Sequence, residues 1–162
     1  MKTLYLVRHA KSSWEFDVID HERPLNKRGF KDAKLVSKHL KDKLKLPDLV
    51  MSSDAMRAKT TAYIFMKNLG MDEDEVVLNH QLYDFSGRNL TKTISDCDDD
   101  VNTLMVFGHN HAMTSFVNAY GDKPTGNVAT SGFTHIEFDI DSWKDLKPGK
   151  TKISLYPKQL KN

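Results

Sequence analysis

Four residues that could act on one phosphate follow short apolar runs in this chain. Arg8 and His9 come directly after residues 3–7, Arg57 lies just beyond residues 48–51, and His109 follows residues 103–107. A guanidinium is always charged, and its planar fork matches the oxygens of a phosphate. Two imidazoles near one phosphate can divide the work: a neutral ring attacks phosphorus while a protonated ring donates hydrogen bonds to the transferring oxygens. Phosphoryl transfer needs mainly positioning and charge stabilisation, which this set supplies with no metal and no organic cofactor. Each residue alone is weak evidence, because a single His after a strand is commonly structural and a single Arg commonly sits on the surface. The combination carries the argument.

Those side chains need a scaffold, and the hydrophobic pattern predicts one. Residues 3–7 are apolar and β-favouring and stop abruptly at Arg8, as a buried strand does on reaching a site. Phe30, Ala33, Val36, Leu40 and Leu44 recur at steps of three and four, so residues 26–45 read as a helix with one apolar face, closed by Pro47. The lysines of that helix fall on the opposite face and are interrupted by Asp32 and Asp42, which reads as a solvated face. Residues 48–51 read as a second buried strand. Ser52, Ser53 and Asp54 then offer N-cap chemistry for a helix running to Leu69 and ended by Gly70. A short strand at 76–78, an irregular stretch through Gly87 and a helix at about 89–95 come next. A strand at 103–107 is turned by Gly108 into a helix at 110–120. Residues 121–132 contain three glycines and read as a mobile surface loop. Strands at 133–138 and 152–156, with a turn at Pro148 and Gly149, suit a hairpin. Strands alternating with helices predict an α/β fold in three layers, a mostly parallel central sheet with helices on both faces and an antiparallel element near the C-terminus. Ligands gather at the C-terminal ends of strands in such sheets, where Arg8, His9, Arg57 and His109 are expected.

The motifs around these residues sharpen the reading. LVRHAKSSW resembles the N-terminal RHG or RHA motif of the histidine phosphatase superfamily, SSDAMRAKTTA resembles its S-x-x-x-R-A-x-x-T-A block, and FGHNHAM resembles its V-G-H-N block. All three stand in that family's order. The segment DHERPLNKRG at 20–29 is similar to the D-x-x-R-P-L-x-x-x-G stretch of the short bacterial SixA-type phosphohistidine phosphatases. The resemblance covers roughly residues 2–120. It implies a phosphoglycerate mutase-like fold, with His9 as phosphoryl acceptor, Arg8 and Arg57 as phosphate clamps and His109 as the second, hydrogen-bonding histidine. The implied partner is a phosphorylated protein, or else a small phosphorylated substrate. A chain of 162 residues has little room for the lid or extra helical domain of the superfamily's longer members, which favours phosphohistidine in proteins over sugar phosphates. The sequence departs from the short subgroup at His111, where Pro usually follows GHN, and at 80–88, HQLYDFSGR.

Asp84 carries two readings. The loop after the third strand holds an acid in many ester-cleaving members of the superfamily, which would make Asp84 a proton donor to the leaving oxygen; alternatively it caps a turn before Gly87. Trp14 and Phe16 either pack their loop or wall the substrate. His21 lies in the DHERPL segment, at the edge of the expected site, while His39, His80 and His135 read as surface or structural. His109 and His111 match no strong metal spacing, even with Asp84 or the DCDDD run, so no metal ligand set is assigned.

Composition bounds the rest. At 39% hydrophobic and 28% charged, the chain suits one compact domain over 1–162, which the resemblance implies is a histidine phosphatase domain, and is too apolar to be disordered. A net charge of +2 gives no basis for nucleic-acid or membrane binding. The start MKTLYLVRHA lacks a signal peptide's apolar stretch, so the expected location is cytoplasmic. Cys97 stands alone among acidic residues that should raise its pKa, and it reads as incidental. A non-catalytic module that binds phosphorylated proteins would use the same arginines, but it would have less need of both histidines.

Overall fold

The computed structural model describes residues 1–161. In chain order its main elements are β1 (Lys2–Arg8), α1 (Lys27–Leu40), β2 (Leu49–Ser52), α2 (Met56–Leu69), β3 (Val76–Leu78), α3 (Arg88–Ser95), β4 (Thr103–Gly108), α4 (Ala112–Tyr120), β5 (Phe133–Phe138), β6 (Lys150–Leu155) and α5 (Pro157–Leu160). Among the described residues the strands form one sheet in the order β3-β2-β4-β1-β5-β6. β3, β2, β4 and β1 run parallel, while β5 pairs antiparallel with both β1 and β6. The expected mostly parallel sheet with a C-terminal hairpin is therefore present.

Alternation along each strand divides the interior into two cores. Leu4 and Leu6 of β1 and Leu104 and Val106 of β4 face one side, where they meet Leu90 and Ile94 of α3 and Phe116 and Val117 of α4. Tyr5, Val7, Met105 and Phe107 face the other, against Val36 and Leu40 of α1 and Phe65 and Met66 of α2. A central strand buried on both faces must be apolar throughout, which is why these runs do not alternate with polar residues. Truncating one of the enclosed rings, Phe65 or Phe116, to Ala would cost about 3–5 kcal/mol. Among the described residues no helix is long and apolar enough to cross a membrane.

Register delivers the chemistry to one edge. Arg8 is level with Gly108 and Ser52 with Phe107, so the residues that follow, His9, His109 and Ser53, leave neighbouring strands side by side. Backbone hydrogen bonds extend the alignment past the strands, from His9 N–H to the Gly108 carbonyl and from Ser53 N–H to the Phe107 carbonyl, both 3.0 Å. α1 is tied to the same edge at its start. The Asn26 side chain accepts from Gly29 N–H at 2.8 Å. A Cβ on Gly29 would lie 2.1 Å from the Lys11 carbonyl oxygen, so only glycine lets the helix approach the chain that leaves His9.

Several local expectations need correction. α1 stops at Leu40 rather than near Lys45, because Lys41 turns to an extended conformation and Asp42 to φ 63°. Phe30 is exposed rather than part of the apolar stripe. α2 does end at Gly70, with φ 79°, but its N-cap is Ala55, which makes no side-chain cap. Ser53 instead accepts from Ala55 N–H at 3.2 Å. The loop 121–132 is anchored, with Val128 N–H on Thr114 Oγ1 at 3.0 Å and Ser131 N–H on the carbonyls of Arg8 and His9.

Candidate active site

His9 sits where β1 ends and is 8% exposed. Its Nδ1 lies 2.7 Å from the Ala10 carbonyl oxygen. A carbonyl can only accept, so Nδ1 carries the proton and Nε2 keeps its lone pair. Burial drives the His9 pKa down to about 3, against the Ala10 hydrogen bond, and the charges of Arg57, Arg8 and Arg23 push the same way. The ring is thus neutral near pH 7, the form in which imidazole attacks phosphorus.

His109, 1% exposed at the end of β4, faces it with ring centroids 5.2 Å apart. Its Nε2 is 2.8 Å from Ser53 Oγ, and its buried Nδ1 has no partner among the described residues. Ser53 Oγ also accepts from Ala55 N–H, and its own proton can be donated to Nε2 in the tautomer that keeps that lone pair. In that tautomer Nδ1 of His109 carries the hydrogen, a buried donor that a phosphoryl oxygen would satisfy. Burial holds the His109 pKa at about 2, with nearby His9 and Arg57 adding to the shift. A phosphate dianion entering between the rings would oppose that shift, since opposite charge at contact distance favours the protonated form.

The guanidiniums are fixed by different segments. Arg8 Nη1 donates to the Val128 carbonyl at 2.7 Å, and its buried Nε has no partner among the described residues. Arg57, 3% exposed in the first turn of α2, donates through Nη1 to the Asp20 carbonyl and through Nη2 to Asp20 Oδ2. Asp20 also accepts from Arg23 Nη1 at 3.1 Å and from the Tyr83 hydroxyl at 2.5 Å. These bonds hold its carboxyl well below the usual carboxylate range despite an opposing burial effect. Burial, and then the charge of Arg57, lowers the pKa of Arg8.

The structure brings Arg8, His9, Arg57 and His109 together and adds residues that the sequence did not single out. Arg23 is buried, donates to Ser12 Oγ, the Ser13 carbonyl and Asp20, and stacks on Trp14 with Cζ 3.2 Å from the ring centroid. Tyr83 and Phe85 pack on the His109 ring at 5.3 and 5.1 Å. Arg23 and Asp20 stand in the DHERPL segment, whose resemblance was the available signal; Tyr83 had none.

Asp84 is placed differently from a proton donor. Its carboxylate accepts from the backbone N–H groups of Ser86, Gly87, Asn89 and Leu90 and from the Ser86 hydroxyl. Those bonds lower its pKa against the opposing effect of burial. A carboxylate so engaged holds no proton near neutral pH, so the general-acid reading gives way to the turn-capping one. Trp14 and Phe16 are exposed at 80% and 57%, and the Trp14 ring covers Arg23. His111 is exposed, at the N-cap of α4. Cys97 has its thiol pushed up to about 11, by burial first and by Asp98 second.

Comparison with known proteins agrees with this geometry. A profile of the histidine phosphatase superfamily (branch 1) matches residues 4–99. An uncharacterised protein of Mycobacterium tuberculosis strain H37Rv is 28% identical over 153 residues, covering 88% of this chain and 93% of that one. An uncharacterised chloroplastic protein of Arabidopsis thaliana is 35% identical over 118 residues, covering 67% of this chain and 54% of that one. Among solved structures, a protein assigned as phosphohistidine phosphatase SixA from Agrobacterium tumefaciens superposes with TM-score 0.75 at 26% identity, over 85% of this chain and 92% of that one. The protein histidine phosphatase SixA complexed with tungstate shares the fold, with TM-score 0.79 at 18% identity over 98% and 99% of the two chains. With its RHA, SSDAMRA and GHN segments converging on one pocket, this chain belongs to the histidine phosphatase superfamily, branch 1.

Proposed function

We propose that the chain is a metal-independent phosphatase that works through a phosphohistidine at His9, with phosphohistidine in proteins as its preferred substrate. The observation that carries this reading is the state of His9. It is neutral, its Nδ1–H is held by Ala10, and Arg8, Arg57 and Arg23 lie close enough to depress its pKa. Nε2 attacks phosphorus, the bond to the leaving group breaks, and the departing atom keeps the electron pair. The arginines and His109 meet the charge on the transferring oxygens. Water then attacks the phosphorus of phospho-His9, which releases inorganic phosphate and returns the lone pair to Nε2.

Two features support phosphohistidine as the substrate. Asp20 and Asp84 are both held ionised by hydrogen bonds, so neither offers a proton to a departing alkoxide. Imidazole is an easier leaving group and depends less on such an acid. Trp14, Phe16 and Ile19 in the segment after β1, and Phe85 on the His109 ring, are also exposed, apolar side chains suited to a protein partner. The SixA-type proteins of similar fold carry the same activity in their names.

The test is a panel of phosphohistidine protein, phosphoserine and phosphotyrosine peptides and small phosphate esters, with His9→Ala beside the wild type. The expected result is fastest turnover of phosphohistidine and, in the variant, loss of both turnover and the acid-labile phosphoenzyme. Near-normal activity of His9→Ala would reject the mechanism. Faster turnover of a small ester would reassign the substrate, and loss of activity to a chelator, restored by metal, would overturn metal independence.

A further inference from the structure

Three segments far apart in sequence bring metal-ligating side chains to one point beside the pocket. His21 comes from the 3-10 turn Asp20–Glu22, Asp54 from the link between β2 and α2, and His80 from the 3-10 turn His80–Leu82. His21 Nε2 is 2.8 Å from Asp54 Oδ1, and His80 Nδ1 is 3.0 Å from both carboxylate oxygens. One ligand atom from each residue lies within 4.8 Å of the others. We propose that His21, Asp54 and His80 form a binding site for a divalent transition metal, Zn²⁺ or a similar late first-row ion.

The donor set selects the class of ion. Two imidazoles and a carboxylate suit Zn²⁺ and its neighbours, whereas Mg²⁺ and Ca²⁺ prefer oxygen throughout. With bonds of about 2.0–2.2 Å, ligand atoms around a tetrahedral zinc stand about 3.3 Å apart, so each imidazole need draw back from the carboxylate by only a few tenths of an ångström. Three protein ligands leave a fourth position for water or another small donor. Without a metal, both rings must present N–H to the same carboxylate, and a cation would replace those two protons. The ligands are reachable from solvent, with His80 the most exposed of them. His21 is also held by an edge-on contact with Tyr83 at 5.0 Å between ring centroids.

This site is separate from the phosphate position. The Tyr83 ring stands between them, in contact with His21 on one side and with His109 at 5.3 Å on the other. The inference is independent of the substrate proposed above and places no metal on His9.

Co²⁺ serves as the spectroscopic probe. Metal-free full-length protein titrated with Co²⁺ should develop the visible ligand-field bands of a four- or five-coordinate site at one equivalent, and Zn²⁺ should displace them. His80→Ala removes an exposed ligand without disturbing the core, and it should weaken Co²⁺ binding about tenfold or more. His21→Ala should act in the same direction, while His9→Ala should keep the bands. Absence of the bands in wild type, or their retention in His80→Ala, would overturn the site. Their loss in His9→Ala with retention in His80→Ala would do the same, by placing the metal in the catalytic pocket.

Discussion

Arg57 and Asp20 meet through two hydrogen bonds, Nη1 to the Asp20 carbonyl at 2.7 Å and Nη2 to its Oδ2 at 2.9 Å. The contact aims one edge of a buried guanidinium and leaves its remaining N–H groups for an anion. Lysine would keep the charge but could not hold Asp20 at two points and still clamp two phosphate oxygens. Arg57→Lys should therefore lower kcat/KM by about 2 kcal/mol or more, in the range seen when an oxyanion donor is lost. Steady-state kinetics beside a surface exchange such as Lys67→Arg would check this. An unchanged rate would mean that Arg57 does not touch the phosphate.

The two pocket histidines make stability depend on pH. Their pKa values in the folded chain are about 3 for His9 and about 2 for His109, against 6.5 in a model peptide. Above pH 6.5 both are neutral whether the chain is folded or not. Below it the unfolded chain takes up protons that the folded chain refuses, so stability falls as pH drops from 6.5 towards the folded values. Each ring adds a slope of up to about 1.4 kcal/mol per pH unit in that window. Urea unfolding of wild type and His109→Gln from neutral to mildly acidic pH should give the variant a shallower loss. Equal slopes would show that His109 titrates normally in the folded chain.

Asp84 supplies a prediction about structure rather than chemistry. Replacing it with Asn keeps one acceptor oxygen but loses the charge that backbone N–H groups of Ser86, Gly87, Asn89 and Leu90 now share. Asp84→Asn should destabilise the fold by about 1–3 kcal/mol. Any effect on rate should be similar for an alkyl phosphate and for p-nitrophenyl phosphate. A much larger loss on the alkyl ester alone would restore the general-acid role.

How far the sequence reaches is visible in these same residues. Arg8, His9 and His109 were legible because each ends or follows an apolar run, and adjacent parallel strands bring such ends together without further information. Asp20 was not, since its hold on Arg57 joins residues 37 apart and depends on how the loop after β1 folds back. Ser53 was seen as capping chemistry, which is local, while its bond to His109 crosses 56 residues. The end of α1 was misread because the apolar period continues through Leu44 while the backbone breaks at Lys41 and Asp42. Asp84 went the other way. The turn signal before Gly87 is local and agrees with the hydrogen bonds Asp84 accepts, whereas the analogy to a catalytic acid has no such local signal.

The last prediction concerns the rim. Trp14 is unsuited to a clean test of docking, because its ring stacks on Arg23, which in turn supports Asp20. Phe16 is exposed at 57%, so its removal should leave the phosphate position as it is. If the rim receives a protein, Phe16 loses its exposed face to that partner, and a buried aromatic anchor is commonly worth more than 1 kcal/mol at an interface. Phe16→Ala should then lower kcat/KM for a phosphohistidine protein by about tenfold, which corresponds to about 1.4 kcal/mol. The same variant should turn over p-nitrophenyl phosphate within about twofold of wild type, a difference below 0.5 kcal/mol. A parallel loss on both substrates would make Phe16 part of the pocket's support. No loss on either would move the protein-binding surface away from the segment that follows Ser13.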